Sequence, residues 1–335
     1  MVALFYILIA IAIATGIWQL TSIFKLKDVV ASEKDNNLQG ILFGIFGIFF
    51  YIGMIYCLVQ YNSLLLPESA SVEGEHYDNL YMITMVLILV VQFIVQFLIF
   101  FFTYKYRGVG NRKALFYADS HKLELIWTVT PAVVLTVLIM YGLWAWNNVM
   151  DVSEVEDPLV VEVYAKQFSW EARYAGNDGQ LGRANVRNIK GINTMGVDMT
   201  DKNSSDDVHV RELHLPKGRK VIFKFRSQDV IHSAYMPHFR AQMNCVPGMV
   251  TQFAFTPKFT TEEMRANEET ITKVEGINKI RKEKGEDPYE FDYLLLCNKI
   301  CGSSHYNMQM KIVVEEEADF NKWVSQQKTM SELIK

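Results

Sequence analysis

Four long runs without a charged residue lie in the first 148 or so positions, at about 2–24, 40–60, 80–104 and 125–147. Each supplies the roughly 20 apolar residues that a helix needs to cross a bilayer. In hydrocarbon the backbone must satisfy its own polar groups, which restricts such runs to helices. The first run has no basic leader before it and no small-residue cleavage motif after it, so it is expected to be retained rather than removed as a signal.

The connecting segments orient these spans. Lys25, Lys27 and Lys34 lie between the first and second runs, and Lys105, Arg107, Arg112, Lys113 and Lys122 between the third and fourth. The segment between the second and third carries Glu68, Glu73, Glu75 and Asp78 and no Lys or Arg. Positive residues favour the cytoplasmic side. The N-terminus and everything after the fourth run are therefore expected outside, with Trp144 and Trp146 in the outer aromatic belt.

Beyond Pro158 the pattern changes to short alternating runs: Leu159–Tyr164, Val221–Phe225, Thr251–Phe255, Tyr293–Leu296 and Gln309–Val314. Turn signals at Asn177-Asp178-Gly179, Pro216-Lys217-Gly218 and Pro247-Gly248 separate several of them, which predicts a β-sandwich or barrel. Residues about 184–210 are polar and read as a long loop. Residues about 261–288 are densely charged and read as a solvated helix or loop inserted between strands. Glu315 to Lys335 reads as an amphipathic terminal helix with Phe320, Trp323 and Val324 available to dock. A net charge of only −4 and the lack of a dense basic patch exclude a nucleic-acid partner. Four scattered cysteines are too few for a disulfide framework.

Chemistry concentrates in Cys297-Asn-Lys-Ile-Cys301-Gly-Ser-Ser-His305-Tyr-Asn-Met308. Two thiols, an imidazole and a thioether within one short segment are soft donors suited to copper. A zinc site or buried structural cysteines are the alternatives, and zinc would leave Met308 without a role. A second imidazole has to come from elsewhere, and His232 in Asp229-Val-Ile-His232-Ser is the candidate. Cys57 reads as a packing residue, and Cys245 and Met243 as bystanders near His232. His76, His121, His209, His214 and His238 have no ligand-like spacing. Met310 is expected to face away from Met308.

The Cys297–Met308 segment together with His232 resembles the outer domain of cytochrome c oxidase subunit II. The resemblance extends over roughly residues 80–335. It implies an all-β cupredoxin-like sandwich after a pair of spans, so the four apolar runs give a membrane α-helical N-terminal region of four transmembrane helices followed by that sandwich. Residues 1–60 would form an extra transmembrane hairpin with no counterpart in the usual two-helix version, 80–148 the hairpin usual for the family, and 158–335 the copper domain with its charged insertion near 261–288. It further implies a dinuclear copper (CuA) centre bridged by Cys297 and Cys301. His232 and Met308 would complete one copper, and His305 with the Lys299 carbonyl the other. Haem would reside in subunit I, and since no Cys-x-x-Cys-His motif occurs in this chain, any cytochrome c domain would be on another chain.

Implied partners are subunits I and III, the lipid bilayer, and cytochrome c or a cytochrome c domain on another chain. A quinol:cytochrome c oxidoreductase complex is a further candidate partner. The implied location is a bacterial inner membrane, multi-pass, with the copper domain on the periplasmic side. Many members carry Glu where this chain has Lys299, and that Glu reaches a magnesium ion at the subunit I interface. An ammonium group has no acceptor, so the resemblance does not extend to magnesium ligation. Phe168, in Gln167-Phe-Ser-Trp170, stands where a Trp commonly receives electrons. Either Phe168 and Trp170 pack the sandwich or they mark a changed electron entrance. Glu124, in Lys122-Leu-Glu-Leu-Ile-Trp127-Thr-Val-Thr-Pro131, matches the segment marking a proton-pathway entrance. A carboxylate favoured by a helix N-terminus is the plainer alternative.

Three other functions are less consistent with the residues. A copper-free structural subunit of a quinol oxidase would lack the two cysteines. A copper carrier would use a few-ligand exposed motif rather than side chains from two segments. The related copper domain of a nitrous oxide reductase lacks the spans and the Glu124 segment.

Overall fold

The computed structural model describes residues 6, 10–11, 13–19, 32–62, 65–110, 112–153 and 155–334. Most of the first apolar run (2–24) lies outside the described residues, so the expected count of four helices stands at three among those described. These are α1 (Glu33–Gln60), α2 (Val72–Lys105) and α3 (His121–Met150), each long and apolar enough to span a membrane. Helix α1 starts at a capping box: the Asp35 amide donates to Ser32 Oγ, and Asp35 in turn accepts from the Ser32 amide. Helix α2, with 34 residues, is about 51 Å long at 1.5 Å per residue and so overruns a hydrocarbon core of about 30 Å. Pro131 sits inside α3. Cys57 is exposed on α1 rather than packed within the chain.

The chain divides into two compact units, Met1–Asn62 with Ile88–Ser120, and Ser63–Leu87 with His121–Lys335. In the first, Gly47 of α1 lets Phe100 lie against the helix backbone, since a Cβ there would come within 2.8 Å of the ring. Tyr51 donates from its hydroxyl to the Phe93 carbonyl at 2.8 Å.

In the second unit ten strands form two five-stranded sheets. One has the order β3-β2-β1-β5-β8 and the other β4-β10-β9-β6-β7. The strands are β1 (Leu159–Lys166), β2 (Ser169–Tyr174), β3 (Val208–Val210), β4 (Leu213–Pro216), β5 (Val221–Ser227), β6 (His232–Met236), β7 (Ala241–Cys245), β8 (Thr251–Phe255), β9 (Tyr293–Cys297) and β10 (Gln309–Glu315). The five strands expected from alternation are all present. The other five were missed because their runs are short or mix polar and apolar residues; β2, for example, buries Glu171 and Arg173 along with Trp170. The core between the sheets includes Val161, Val163, Phe223, Phe225, Phe255, Tyr293 and Leu295, all fully buried. Phe223 stacks on Phe255 with centroids 5.0 Å apart, and truncating such a ring to Ala typically costs about 3–5 kcal/mol.

The acidic segment that opens α2 is paired with this sandwich. Glu73 accepts from the Thr256 amide and faces Lys220 at 3.1 Å, and Arg240 is held by Asp78 at 2.7 Å. Residues 184–210 form an irregular loop with two short 3-10 turns, ending in β3. The charged insertion folds as α4 (Thr261–Arg265) and α5 (Glu268–Lys284). The single terminal helix expected is instead two, α6 (Glu317–Ser325) and α7 (Met330–Leu333). Phe320 of α6 is buried, and Trp323 stacks on His214 at 3.8 Å. Met310 does not face away from the core: it is 4% exposed and Met308 2%. Two residues apart along a strand means the same face.

Candidate metal centre

Three neighbouring strands of one sheet bring the candidate ligands together. His232 opens β6, Cys297 closes β9, and Met308 immediately precedes β10. Strands β6 and β9 pair antiparallel with Ala234 opposite Cys297. The Asn298 amide donates to the Ser233 carbonyl at 2.9 Å, and the Cys297 amide to the Met308 carbonyl at 3.1 Å. Backbone hydrogen bonds therefore fix the distance between the segments.

Within this frame the donor atoms converge. Cys297 Sγ lies 3.8 Å from His232 Nδ1, 3.8 Å from Cys301 Sγ and 3.2 Å from the Lys299 carbonyl oxygen. Cys301 Sγ lies 3.6 Å from His305 Nδ1 and 3.8 Å from Met308 Sδ. The sulfurs are far beyond the 2.05 Å or so of a disulfide, and both cysteines are free. All six residues expected as ligands thus meet in one cluster. Two thiols, two imidazole nitrogens, a thioether and a carbonyl are a donor set that fits copper, and among the described residues no Lys or Arg side chain is paired with it. Burial first, and the neighbouring Cys297 thiol next, push the Cys301 thiol up to about 11. A metal ion would have to displace that proton, so binding and proton release are linked.

Sequence reasoning missed Asp229. Its Oδ1 lies 2.8 Å from His232 Nε2, and His232 is fully buried. If Nε2 carries the proton and donates to the carboxylate, the Nδ1 lone pair is left facing Cys297. Burial pushes the Asp229 carboxyl up, but hydrogen bonds from the Gln167 amide and His232 outweigh it and hold it below the ordinary carboxylate range. The only available signal was an Asp three residues before the His, a common local pattern.

The Gln167–Trp170 segment touches three ligand-bearing segments. The Gln167 amide donates to Asp229 at 2.7 Å, and its side-chain amide donates to the Cys301 carbonyl. Trp170 is buried and points its Nε1 at the Met308 carbonyl, 3.4 Å away, with its ring 6.1 Å from that of His232. Phe168 packs on Gly302, which has a φ of +142° and where a Cβ would approach the ring to 2.7 Å. Glu124 stands apart in the first turn of α3, half-exposed and 3.4 Å from His121 Nδ1.

The remaining histidines have other partners. His209 meets Glu171 at 3.0 Å, His214 meets Glu315 at 2.6 Å, and His76 packs against Trp144. Cys245 pairs across from His232 in β7, and burial pushes its thiol up to about 12.

The family model described as cytochrome C oxidase subunit II, transmembrane domain, matches residues 59–144, which include α2 and all but the end of α3. The alternative cytochrome c oxidase subunit 2 of Bradyrhizobium diazoefficiens is 35% identical over 224 residues, 66% of this chain and 69% of that protein. A probable cytochrome c oxidase subunit 2 of Streptomyces avermitilis is 29% identical over 152 residues, 40% of this chain and 47% of that protein. Among solved structures, the periplasmic domain of subunit II of cytochrome oxidase of Bradyrhizobium japonicum is similar at 18% identity and a TM-score of 0.31, covering 52% of this chain and 95% of that one. On the strength of the Bradyrhizobium diazoefficiens relative, the chain belongs to the cytochrome c oxidase subunit II family.

Proposed function

We propose that this chain is the electron-transfer subunit of a proton-pumping cytochrome c oxidase. It would accept electrons from cytochrome c, or from a cytochrome c domain on another chain, and pass them to haems in subunit I, where O2 is reduced to water. The observation that carries this reading is the convergence of Cys297, Cys301, His232, His305, Met308 and the Lys299 carbonyl on one partly buried cluster.

In this reading Cys297 and Cys301 would hold a copper pair between their thiolates. His232 and Met308 would complete one ion, and His305 with the Lys299 carbonyl the other. When bound, such a pair supplies one-electron redox chemistry with the charge shared over both ions. The protein's part is to keep the donors still: the β6–β9 hydrogen bonds set the spacing, Asp229 orients His232, and Trp170 braces the Met308 backbone. Rigid support of this kind keeps a redox site tuned. Glu124, at the start of α3, would take up protons at the cytoplasmic surface. The α2–α3 hairpin would sit in the bacterial plasma membrane beside subunits I and III, with the sandwich on the periplasmic side.

Electron paramagnetic resonance of the copper-loaded full chain tests this. Hyperfine structure from one electron shared over two copper nuclei is expected. A single-copper spectrum would overturn the dinuclear assignment.

A further inference from the structure

The first unit contains a cleft between α1, the C-terminal end of α2 with the residues that follow it, and Gln19 of the first apolar run, and the electron-transfer reading does not use it. Its volume is 560 Å³, within the range of small-molecule sites. Its lining changes character along α1. Asn36, Gln39 and Gly40 form the polar end together with Arg107, and Phe43 and Phe46 form the apolar end. From Asn36 to Phe46 is about 15 Å of helix, so the cleft runs from the end of the spanning hairpin into its hydrocarbon-facing length.

Arg107 is prepositioned at the polar end. Its Nε donates to Asn37 Oδ1 at 2.6 Å, its Nη1 to the Tyr104 carbonyl at 2.7 Å, and its guanidinium stacks over the Tyr104 ring at 4.1 Å. Among the described residues no acceptor meets Nη2. Gly40 makes room for this side chain, since a Cβ there would stand 2.8 Å from Arg107 Cδ. Asn36 closes the end by donating to the Gly108 carbonyl at 2.9 Å. Lys34 and Lys105 flank the same ends of α1 and α2, and an excess of Lys and Arg marks the cytoplasmic leaflet.

We propose that this cleft binds an anionic phospholipid of the cytoplasmic leaflet. The phosphate accepts from the free edge of Arg107, where an arginine fork matches phosphate oxygens, and an acyl chain lies along Phe43 and Phe46. Basic pockets between membrane helices on that side suit anionic headgroups. The site is independent of the copper centre.

The test is native mass spectrometry of the full chain released from nanodiscs of phosphatidylcholine doped with phosphatidylglycerol. One retained phosphatidylglycerol per chain is expected. Arg107→Gln should lower its retention about tenfold, the loss of one charge-assisted contact. Arg112→Gln, a change of the same charge outside the cleft, should leave it unchanged. Gln39→Leu leaves the Arg107 contacts in place and should weaken retention less, which keeps the proposal testable if Arg107→Gln misfolds. Equal retention of phosphatidylcholine, or indifference to both cleft substitutions, would overturn the proposal. So would release of the lipid by millimolar inorganic phosphate, which would mark a free-anion site. Loss of the lipid on assembly with the other oxidase subunits would mean that a protein helix fills the cleft, and would overturn it too.

Discussion

The sandwich holds two polar clusters, and they are built on opposite plans. One is ionic. Arg173 donates to Glu162 at 3.1 and 2.8 Å, to Asp207 at 2.6 Å and to the Gly182 carbonyl at 2.9 Å, and Arg226 closes on Glu162 at 2.5 Å. Cations supplied by the protein meet anions supplied by the protein, as buried charges require. The other, at His232, Cys297, Cys301, His305 and Met308, gathers lone pairs, and among the described residues no cationic side chain is paired with them. It is only partly buried, with Cys297 and His305 partly exposed. A group of donors that the protein does not neutralise internally is suited to an external cation, and the contrast separates a structural cluster from a binding one.

The contrast can be broken or sharpened by experiment. The largest effect is expected at the bridging thiols. Cys297→Ser or Cys301→Ser should abolish the two-nucleus copper spectrum while the far-ultraviolet circular dichroism of the chain persists. A surviving two-nucleus signal would remove the bridging role. Next, Arg173→Met should destabilise the sandwich by about 3–5 kcal/mol, because it leaves Glu162 and Asp207 buried with fewer partners. A change within about 0.5 kcal/mol in urea denaturation would show that the ionic cluster is not closed as described.

Asp229→Ala should weaken copper binding roughly 10–100-fold, the usual cost of removing the partner that orients a ligating imidazole. Competition with a calibrated chelator measures it, and an unchanged affinity would leave His232 oriented by its strand alone. The smallest effect is a pH slope from the ionic cluster. Burial pushes the Asp207 carboxyl up from 3.8 to about 6 against the pull of Arg173. The folded chain therefore binds this proton more tightly than the unfolded chain does. Its stabilising contribution is complete below about 3.8 and is lost as pH rises through about 6. The slope should stay below about 1.4 kcal/mol per pH unit and sum to roughly 3 kcal/mol over the window, and Asp207→Asn should flatten it. A slope that Asp207→Asn leaves intact would assign it to another group.

The two clusters were unequally legible in the sequence. The ligand cluster could be read because four of its side-chain donors fall within Cys297–Met308 and their chemistry is distinctive. His232 could be singled out as a candidate but given its place in the ligand set only through resemblance, since its spacing to Cys297 is set by folding. The ionic cluster was not legible at all. Glu162, Arg173, Asp207 and Arg226 come from separate segments and look like ordinary surface charges until β1, β2 and β5 pair. Strands such as β1 and β8 announced themselves by apolar alternation, whereas β6 and β7 mix polar and apolar residues and are stabilised by their neighbours. The terminal helix was expected to be continuous because its amphipathic spacing was. The structure breaks it before a capping box at Thr329, where Glu332 reaches back to the Thr329 amide.

The pairing of β6 with β9 sets an order of events during synthesis. His232 and Cys297 are separated by 65 residues of chain, and contacts this remote in sequence form late because a long loop must close first. As the chain emerges, His232 is made well before its partners, and the insertion of α4 and α5 must be accommodated before β9 can dock. The donor cluster is therefore a product of completed tertiary folding. A metal-donating partner that needs the full donor set would discriminate finished sandwiches from unfinished ones, so loading would itself serve as a checkpoint on folding.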